Sequence, residues 1–344
     1  MRSSTSNFDV IVVGSGPAGV AASIICAKKG LNVVILDQES FPRYRPGETL
    51  HPGIQPLLET LGVADQVLAA GFLRHHGNWV SWEEEKLRFL PFGSDSMEEW
   101  LGFQAWRADF DNILLKHAHS LGVKVLQPCR ALKPMINHNR ISGTLTTCGE
   151  LKASYLVDSS GRQQWLAQGM NLSVKKYSPQ LIVKFGYVQG EYQFRDDAPA
   201  IISNHEGWLW TARVRPNTYH WTRLSLTPDT KIKDQIPPEF RGLAPVGNIR
   251  GADVTWRAVQ GPAGPGYYLA GDAANVLDPL SSHGVLKAMM TGMMSGHLIS
   301  QVLLGKVTES IAIQYYSNWI KGWFQEDVNY LKKLYSHFPS FPTC

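Results

Sequence analysis

Cysteine is scarce in this chain. Cys26, Cys129, Cys148 and Cys344 are all that 344 residues hold, and no two stand in a CxxC or other metal-ligand spacing. A disulfide scaffold and a cysteine metal site are therefore not expected; reduced, structural thiols are. Charge is thin as well. Asp, Glu, Lys and Arg make up 18% of the residues, against about 25% in average proteins. The net charge is only +4, with no basic block, so nothing supplies an electrostatic footprint for nucleic acid. Apolar runs stop well short of the roughly 18 residues a membrane helix needs. The short polar lead over residues 1–7 enters an apolar run directly, which leaves no room for a signal-peptide core. The expectation is a cytoplasmic protein with no nucleic-acid partner and no membrane partner. What the chain does hold is 11 Trp, enough for an aromatic-lined pocket or simply for a large aromatic core. Its length suits one or two intimately joined domains.

The strongest signal is FDVIVVGSGPAGVAASIICAKKGLNVVILD, residues 8–37. It reads strand, glycine-rich turn, helix, strand, acid, the order of a dinucleotide-binding unit. Residues 8–13 form a β-branched run of buried-strand length. Gly14 permits the tight turn, Gly16 lets the backbone approach a pyrophosphate, and Gly19 lets the helix pack close to the strand. Ser15, Pro17 and Ala18 complete the turn, whose free amides face the phosphates at the helix N-terminus. Asp37 follows the second strand, placed to accept from a ribose hydroxyl.

Beyond this unit, short helices are expected over 54–61 and 64–70, strands within 79–92, and an amphipathic helix over 106–121. Strands follow over 123–126, 130–136, 140–147 and 152–157, then a mostly β stretch from 175 to 260, with strands near 180–189, 207–215 and 218–227. A short buried strand over 267–270 precedes GDAANVLDPLSSHG, and long helices over 285–304 and 311–337 close the chain. The dinucleotide domain is thus discontinuous, comprising 1–75, 100–165 and 256–344, with a β-rich insert formed by 76–99 and 166–255.

Three further segments, RPGETLHP (45–52), LVDSSGR (156–162) and GDAANVLDP (271–279), join GSGPAG in order along the chain. Together they resemble the FAD-dependent monooxygenases of the p-hydroxybenzoate hydroxylase fold, and within them the flavin-dependent halogenase-like branch. The resemblance implies an α/β (α+β) fold: a Rossmann-like FAD-binding domain with an inserted, mostly antiparallel β-sheet substrate domain. It implies that Gly271 and Asp272 reach FAD, although an Asp in such a turn also caps its own backbone. Pro279, Ser282, Gly284 and Val285 become flavin neighbours, where helix N-terminal amides stabilise negative charge. Arg43, Gly47 and Glu48 belong to a loop beside the flavin, or to an ordinary solvated loop. Arg107 reaches the cofactor or pairs with Asp109 or Asp111. Asp158 has either a structural or a cofactor role. His283, at the flavin edge, is the catalytic candidate, since histidine takes protons near neutral pH. His51, Trp79, Trp208 and Trp210 are candidates for an aromatic substrate pocket, with sheet packing as the alternative. No metal site is expected.

The implied reaction is oxygenation of an aromatic ring through a flavin C4a-hydroperoxide, with O₂ and an external reductant as co-substrates. Tryptophan halogenases carry a lysine after the GES-type loop; here LRHHGNWVSW has none before Lys86. Of their W-x-W-x-I-P signature, WLWTAR (208–213) keeps only the tryptophans. Halogenation is therefore disfavoured. The chain also resembles short flavoproteins that mature tryptophylquinone cofactors, which implies a tryptophan of a partner protein, the precursor of a quinone-cofactor oxidase, as substrate. The alternatives are a flavin-dependent reductase of isoprenoid double bonds, a non-catalytic flavoprotein assembly factor, and a plain NAD dehydrogenase.

Overall fold

Val10, Ile11, Val12 and Val13 are all buried, because the strand they form, Ser6–Val13, lies between two parallel neighbours. β-branched side chains suit that position, stiff at χ1 and covered on both faces. The computed structural model describes residues 6–82, 86–96, 99–192, 198–226, 236–338 and 341. Ser6–Val13 pairs with Val33–Leu36 on one side and Gly149–Asp158 on the other. Lys124–Leu126 and Tyr267–Leu269 extend the parallel order outward. Arg140–Thr146, Ala131–Asn137 and Ala263–Gly264 join it antiparallel, which completes eight strands.

Seven α-helices occur among the described residues: α1 (Pro17–Ala27), α2 (Ile54–Leu61), α3 (Ala64–Ala69), α4 (Arg107–Ser120), α5 (Trp165–Gly169), α6 (Gly284–Leu303) and α7 (Glu309–Tyr335). Helix α1 is buried along most of its length and lies directly against α6. Small residues bring the two backbones together: a Cβ at Gly292 would lie 2.0 Å from the Ala18 carbonyl oxygen, and one at Gly296 2.7 Å from that of Ala22.

A second sheet of seven strands runs Ala244–Asp253, Ile182–Gln189, Thr218–Ser225, Gly207–Arg215, Ala200–Asn204, Gly77–Ser81, Arg88–Pro91. All its pairings are antiparallel except Ala200–Asn204 with Gly77–Ser81. Strand alternation separates its faces. Val188, Tyr219 and Trp221 pack with Phe240 on one. Phe185, Trp210, His220 and Thr222 lie on the other, with Trp210 and Phe185 both opposite Thr222 in register. The C-terminal half of α7 covers part of that inner face: Phe324, Val328, Leu331 and Tyr335 form one core with Trp208, Leu224 and Trp256. No helix among the described residues is long and apolar enough to cross a membrane.

The strands Ala200–Asn204, Ala244–Asp253 and Arg257–Val259 go beyond the sequence expectation. The second, APVGNIRGAD, is exposed at almost every position. It sits at the sheet edge, where no alternation of burial marks it in sequence.

Candidate active site

A cavity of about 750 Å³ runs from the C-terminal ends of the parallel strands to the inner face of the antiparallel sheet, within the roughly 300–1,000 Å³ usual for small-molecule sites. At its first end the glycine turn is dictated by backbone geometry. Gly14 has φ +101°, and any Cβ there would meet the Ser159 carbonyl oxygen at 2.4 Å. Gly16 starts α1 with no side-chain cap, and the first turn holds no acid. Gly14, Gly16, Pro17 and Ala18 all line the cavity, so an uncapped helix N-terminus faces it. Ser15 is turned away, its amide and hydroxyl donating to Asp37 Oδ2. Gly19 stands behind the turn, where a Cβ would lie 2.0 Å from the Gly14 oxygen.

Asp37 is buried and also accepts from the Glu39 amide. Arg43 pairs with it at 3.0 Å. The Arg43 Nε, buried at the cavity wall, has no hydrogen-bond partner among the described residues. A buried guanidinium with a spare donor beside an uncapped helix start fits an anion, and a diphosphate in particular.

The loop carrying Gly47 and Glu48 crosses the middle of the cavity. Arg107, at the start of α4, is buried rather than a surface residue. Its fork grips Asp111 at 2.8 and 3.0 Å and its Nη1 donates to the Pro46 carbonyl at 3.1 Å. Arg107 thus lines the cavity while pinning this loop. Glu48, almost wholly buried, accepts from Tyr187 Oη at 2.6 Å and from the Gly47 amide.

Opposite lie Gly271, Asp272, Pro279, Ser282, Gly284 and Val285. Helix α6 begins at Gly284 without a side-chain cap or an acid in its first turn, giving the cavity a second uncapped N-terminus. Burial raises the Asp272 carboxyl above its ordinary range. Lys287, one turn into α6, also lines the cavity and pairs with Asp327; burial lowers its ammonium to about 8, against the pull of Asp272. The sequence reading did not single out this lysine.

Asp278 holds the turn leading into α6. Its carboxylate accepts from Trp256 Nε1 at 2.6 Å and the Leu280 amide at 2.9 Å, and burial pushes it up to about 6. A carboxyl raised in the fold contributes stability that is complete below its ordinary pKa and lost as pH rises through the folded value. Asp278→Asn should therefore remove a pH-dependent component. Relative to the variant, the wild type should lose up to ~3 kcal/mol between about pH 4 and pH 7, measured by urea unfolding at both. A constant difference would contradict the assignment.

Four candidates fall elsewhere than expected. His283 turns its ring onto His51, with centroids 5.2 Å apart, and neither histidine lines the cavity. Burial, with Lys287 and His51 nearby, lowers His283 to about 4, so it is a weak base. Trp208 is capped by α7 and donates to Tyr335 Oη at 2.8 Å, and Trp79 packs on Phe89. Trp210, two residues along the same strand face, does line the cavity. Asp158 is structural in its contacts, accepting from the Ser160 and Leu166 amides. His220 and Thr222, which share the cavity wall with Trp210, carried no sequence signal: one histidine in TYHWTRLS looks like any sheet residue.

Comparison with known proteins agrees with this geometry. Residues 7–223 match the FAD binding domain family. A tryptophan 2-halogenase of Chondromyces crocatus is 27% identical over 93% of this chain, which spans 66% of that enzyme. A 1H-pyrrole-2-carbonyl-[peptidyl-carrier protein] brominase of Pseudoalteromonas luteoviolacea is 28% identical over 92% of this chain and 82% of its own length. The structure of the flavin-dependent brominase Bmp2 superposes with a TM-score of 0.84 at 25% identity, covering 95% of this chain and 87% of that one. An uncapped α1, a spare arginine donor and the matched segment point the same way: the chain belongs to the FAD binding domain family, and the relatives it resembles over most of its length are flavin-dependent halogenases.

Proposed function

We propose that this chain is an FAD-dependent oxidoreductase that oxygenates an electron-rich aromatic ring, a tryptophan side chain of a partner protein during assembly of a quinone cofactor. The observation that carries the reading is one cavity with the α6 N-terminus on one side and Trp210, Phe185 and His220 on the other. Bound FAD supplies the electron transfer and the oxygen activation. Gly14, Gly16, Pro17, Ala18 and Arg43 would hold its diphosphate, and Asp37 its ribose. Pro279, Ser282, Gly284 and Val285 would flank the flavin, where the helix dipole favours negative charge. The β-rich insert would form the substrate domain.

A free or carrier-bound aromatic is what the names of the relatives describe: tryptophan for one, a pyrrole on a carrier protein for another. Presentation of the ring on a macromolecule suits a mouth bearing Tyr44, which is 67% exposed and lines the cavity. Oxygenation is favoured over halogenation by the absence of lysine from LRHHGNWVSW. An aromatic wall also suits a planar ring better than an isoprenoid chain.

The test is to reduce the FAD-loaded protein under nitrogen, then admit O₂ with chloride or bromide and either indole, a phenol or a tryptophan-bearing precursor chain. Mass spectrometry should find added oxygen and no halogen, with the precursor chain consumed fastest. A halogenated product would overturn the oxygenase reading, and reaction of indole alone would overturn the protein substrate.

A further inference from the structure

The wall of the cavity opposite α6 holds an ionisable cluster to which no role has been given. His220 is buried and lines the cavity. Its Nδ1 lies 3.8 Å from Glu48 Oε2, and its Nε2 lies 3.2 Å from Thr222 Oγ1. The Tyr187 and His220 rings are 5.0 Å apart, and Tyr187 donates its hydroxyl to the other oxygen of Glu48. Among the described residues, the other charged groups that act on the cluster are Arg107 and, across the cavity wall, Arg250.

Glu48, 3.8 Å from Nδ1 and so beyond hydrogen-bond length, acts on the tautomer through its charge. A carboxylate beside Nδ1 favours a proton there, which leaves the lone pair of Nε2 toward the Thr222 hydroxyl. Burial lowers the imidazole below its ordinary pKa, so the ring is neutral and ready to accept at pH 7. Glu48 then stabilises the imidazolium once it forms, as the orienting carboxylate of a histidine base does. His283 is also lowered by burial, but the groups that face it are Lys287 and His51 rather than a carboxylate.

We infer that His220, faced by Glu48 and reached through Thr222, is the proton acceptor of the cavity, and that the ring it serves bears an ionisable hydroxyl, the hydroxyindole that a first oxygenation of the tryptophan side chain leaves. The inference rests on the aromatic-substrate reading above. The O–H bond of the ring hydroxyl breaks and its proton passes to Thr222 Oγ1. The hydroxyl proton of Thr222 moves to His220 Nε2. The electron pair stays on the ring oxygen and spreads into the ring, making its carbons more nucleophilic; nothing is oxidised or reduced. An indole N–H is far too weak an acid for this relay, whereas a phenolic hydroxyl is matched to it.

The probe is 4-nitrophenol, whose phenolate absorbs in the visible where the phenol does not, followed by difference absorbance on the FAD-loaded protein across pH. In the wild type the bound probe should ionise about one pH unit or more below the free probe, ~10-fold in the equilibrium. His220→Gln and Thr222→Val should each return the midpoint to that of the free probe. Ring ¹⁵N spectra of the wild type should show one histidine becoming imidazolium as the probe binds, which decides the matter even if His220→Gln does not fold. The inference is overturned by a probe that fails to bind, by one bound as the neutral phenol throughout, by a shift that survives both substitutions, or by unchanged histidine signals. Failure of the wild type to retain FAD would instead sink the functional reading itself.

Discussion

Alanine at position 19 should all but abolish FAD binding and destabilise the fold by about 1–3 kcal/mol or more. The new Cβ would lie 2.0 Å from the Gly14 carbonyl oxygen, 2.4 Å from Ser159 Oγ and 3.0 Å from Val12 Cγ1. Two of these are held by the turn itself: Gly14 by its bond to the Leu36 carbonyl, and Ser159 Oγ by its bonds to the Val13 and Gly14 carbonyls. Only α1 is left to move, and α6 blocks it from the other side through Gly292 and Gly296. Displacing α1 withdraws the amides that face the cavity, so cofactor affinity falls with stability. Gly292→Ala should show the same loss of stability. Gly322→Ala is the control, since nothing lies within 4 Å of its Cβ position in α7; it should be neutral or stabilising by up to ~1 kcal/mol. Thermal unfolding of the three variants with and without FAD checks the ranking, and an unperturbed Gly19→Ala protein would contradict the packing argument.

Methionine in place of Arg43 should weaken FAD binding about 10- to 100-fold while leaving the fold intact, the loss of a charge-assisted hydrogen bond being worth ~1.5–3 kcal/mol. The fold tolerates the change because Asp37 keeps the Ser15 amide, the Ser15 hydroxyl and the Glu39 amide. The cofactor loses the cation whose Nε has no partner among the described residues. Arg43→Lys should fall between the two, since it restores the charge but not the planar fork. Raising ionic strength should narrow the gap between wild type and Arg43→Met. Equal FAD affinity for both proteins, by fluorescence titration, would place the diphosphate elsewhere.

The glycine-turn end of the cavity was legible in sequence because its parts are local. Gly14, Gly16, Gly19 and Asp37 lie within one βαβ unit, and a turn that needs φ +101° at Gly14 leaves its mark as a glycine. The GDAA and PLSSHG segments are legible for the same reason, being turns next to a strand and a helix start. The opposite wall is not local. Trp208 and Trp210 have identical alternation and are both buried, but Trp208 packs under α7 and donates to Tyr335 while Trp210 lines the cavity. His220 takes its meaning from Glu48, distant in sequence but 3.8 Å away in the fold. His283 stood out because the resemblance puts it at the flavin edge and histidine takes protons near neutral pH, yet its ring faces His51. The parity of a strand predicts a face, not what packs against it.

The most direct measurement is titration of the purified chain with FAD, followed by absorbance and flavin fluorescence. One FAD per chain should bind saturably, with a perturbed flavin spectrum, and binding should weaken in Arg43→Met and fail in Gly19→Ala. The absence of saturable binding by the wild type would contradict the assignment of the cavity and every role derived from it.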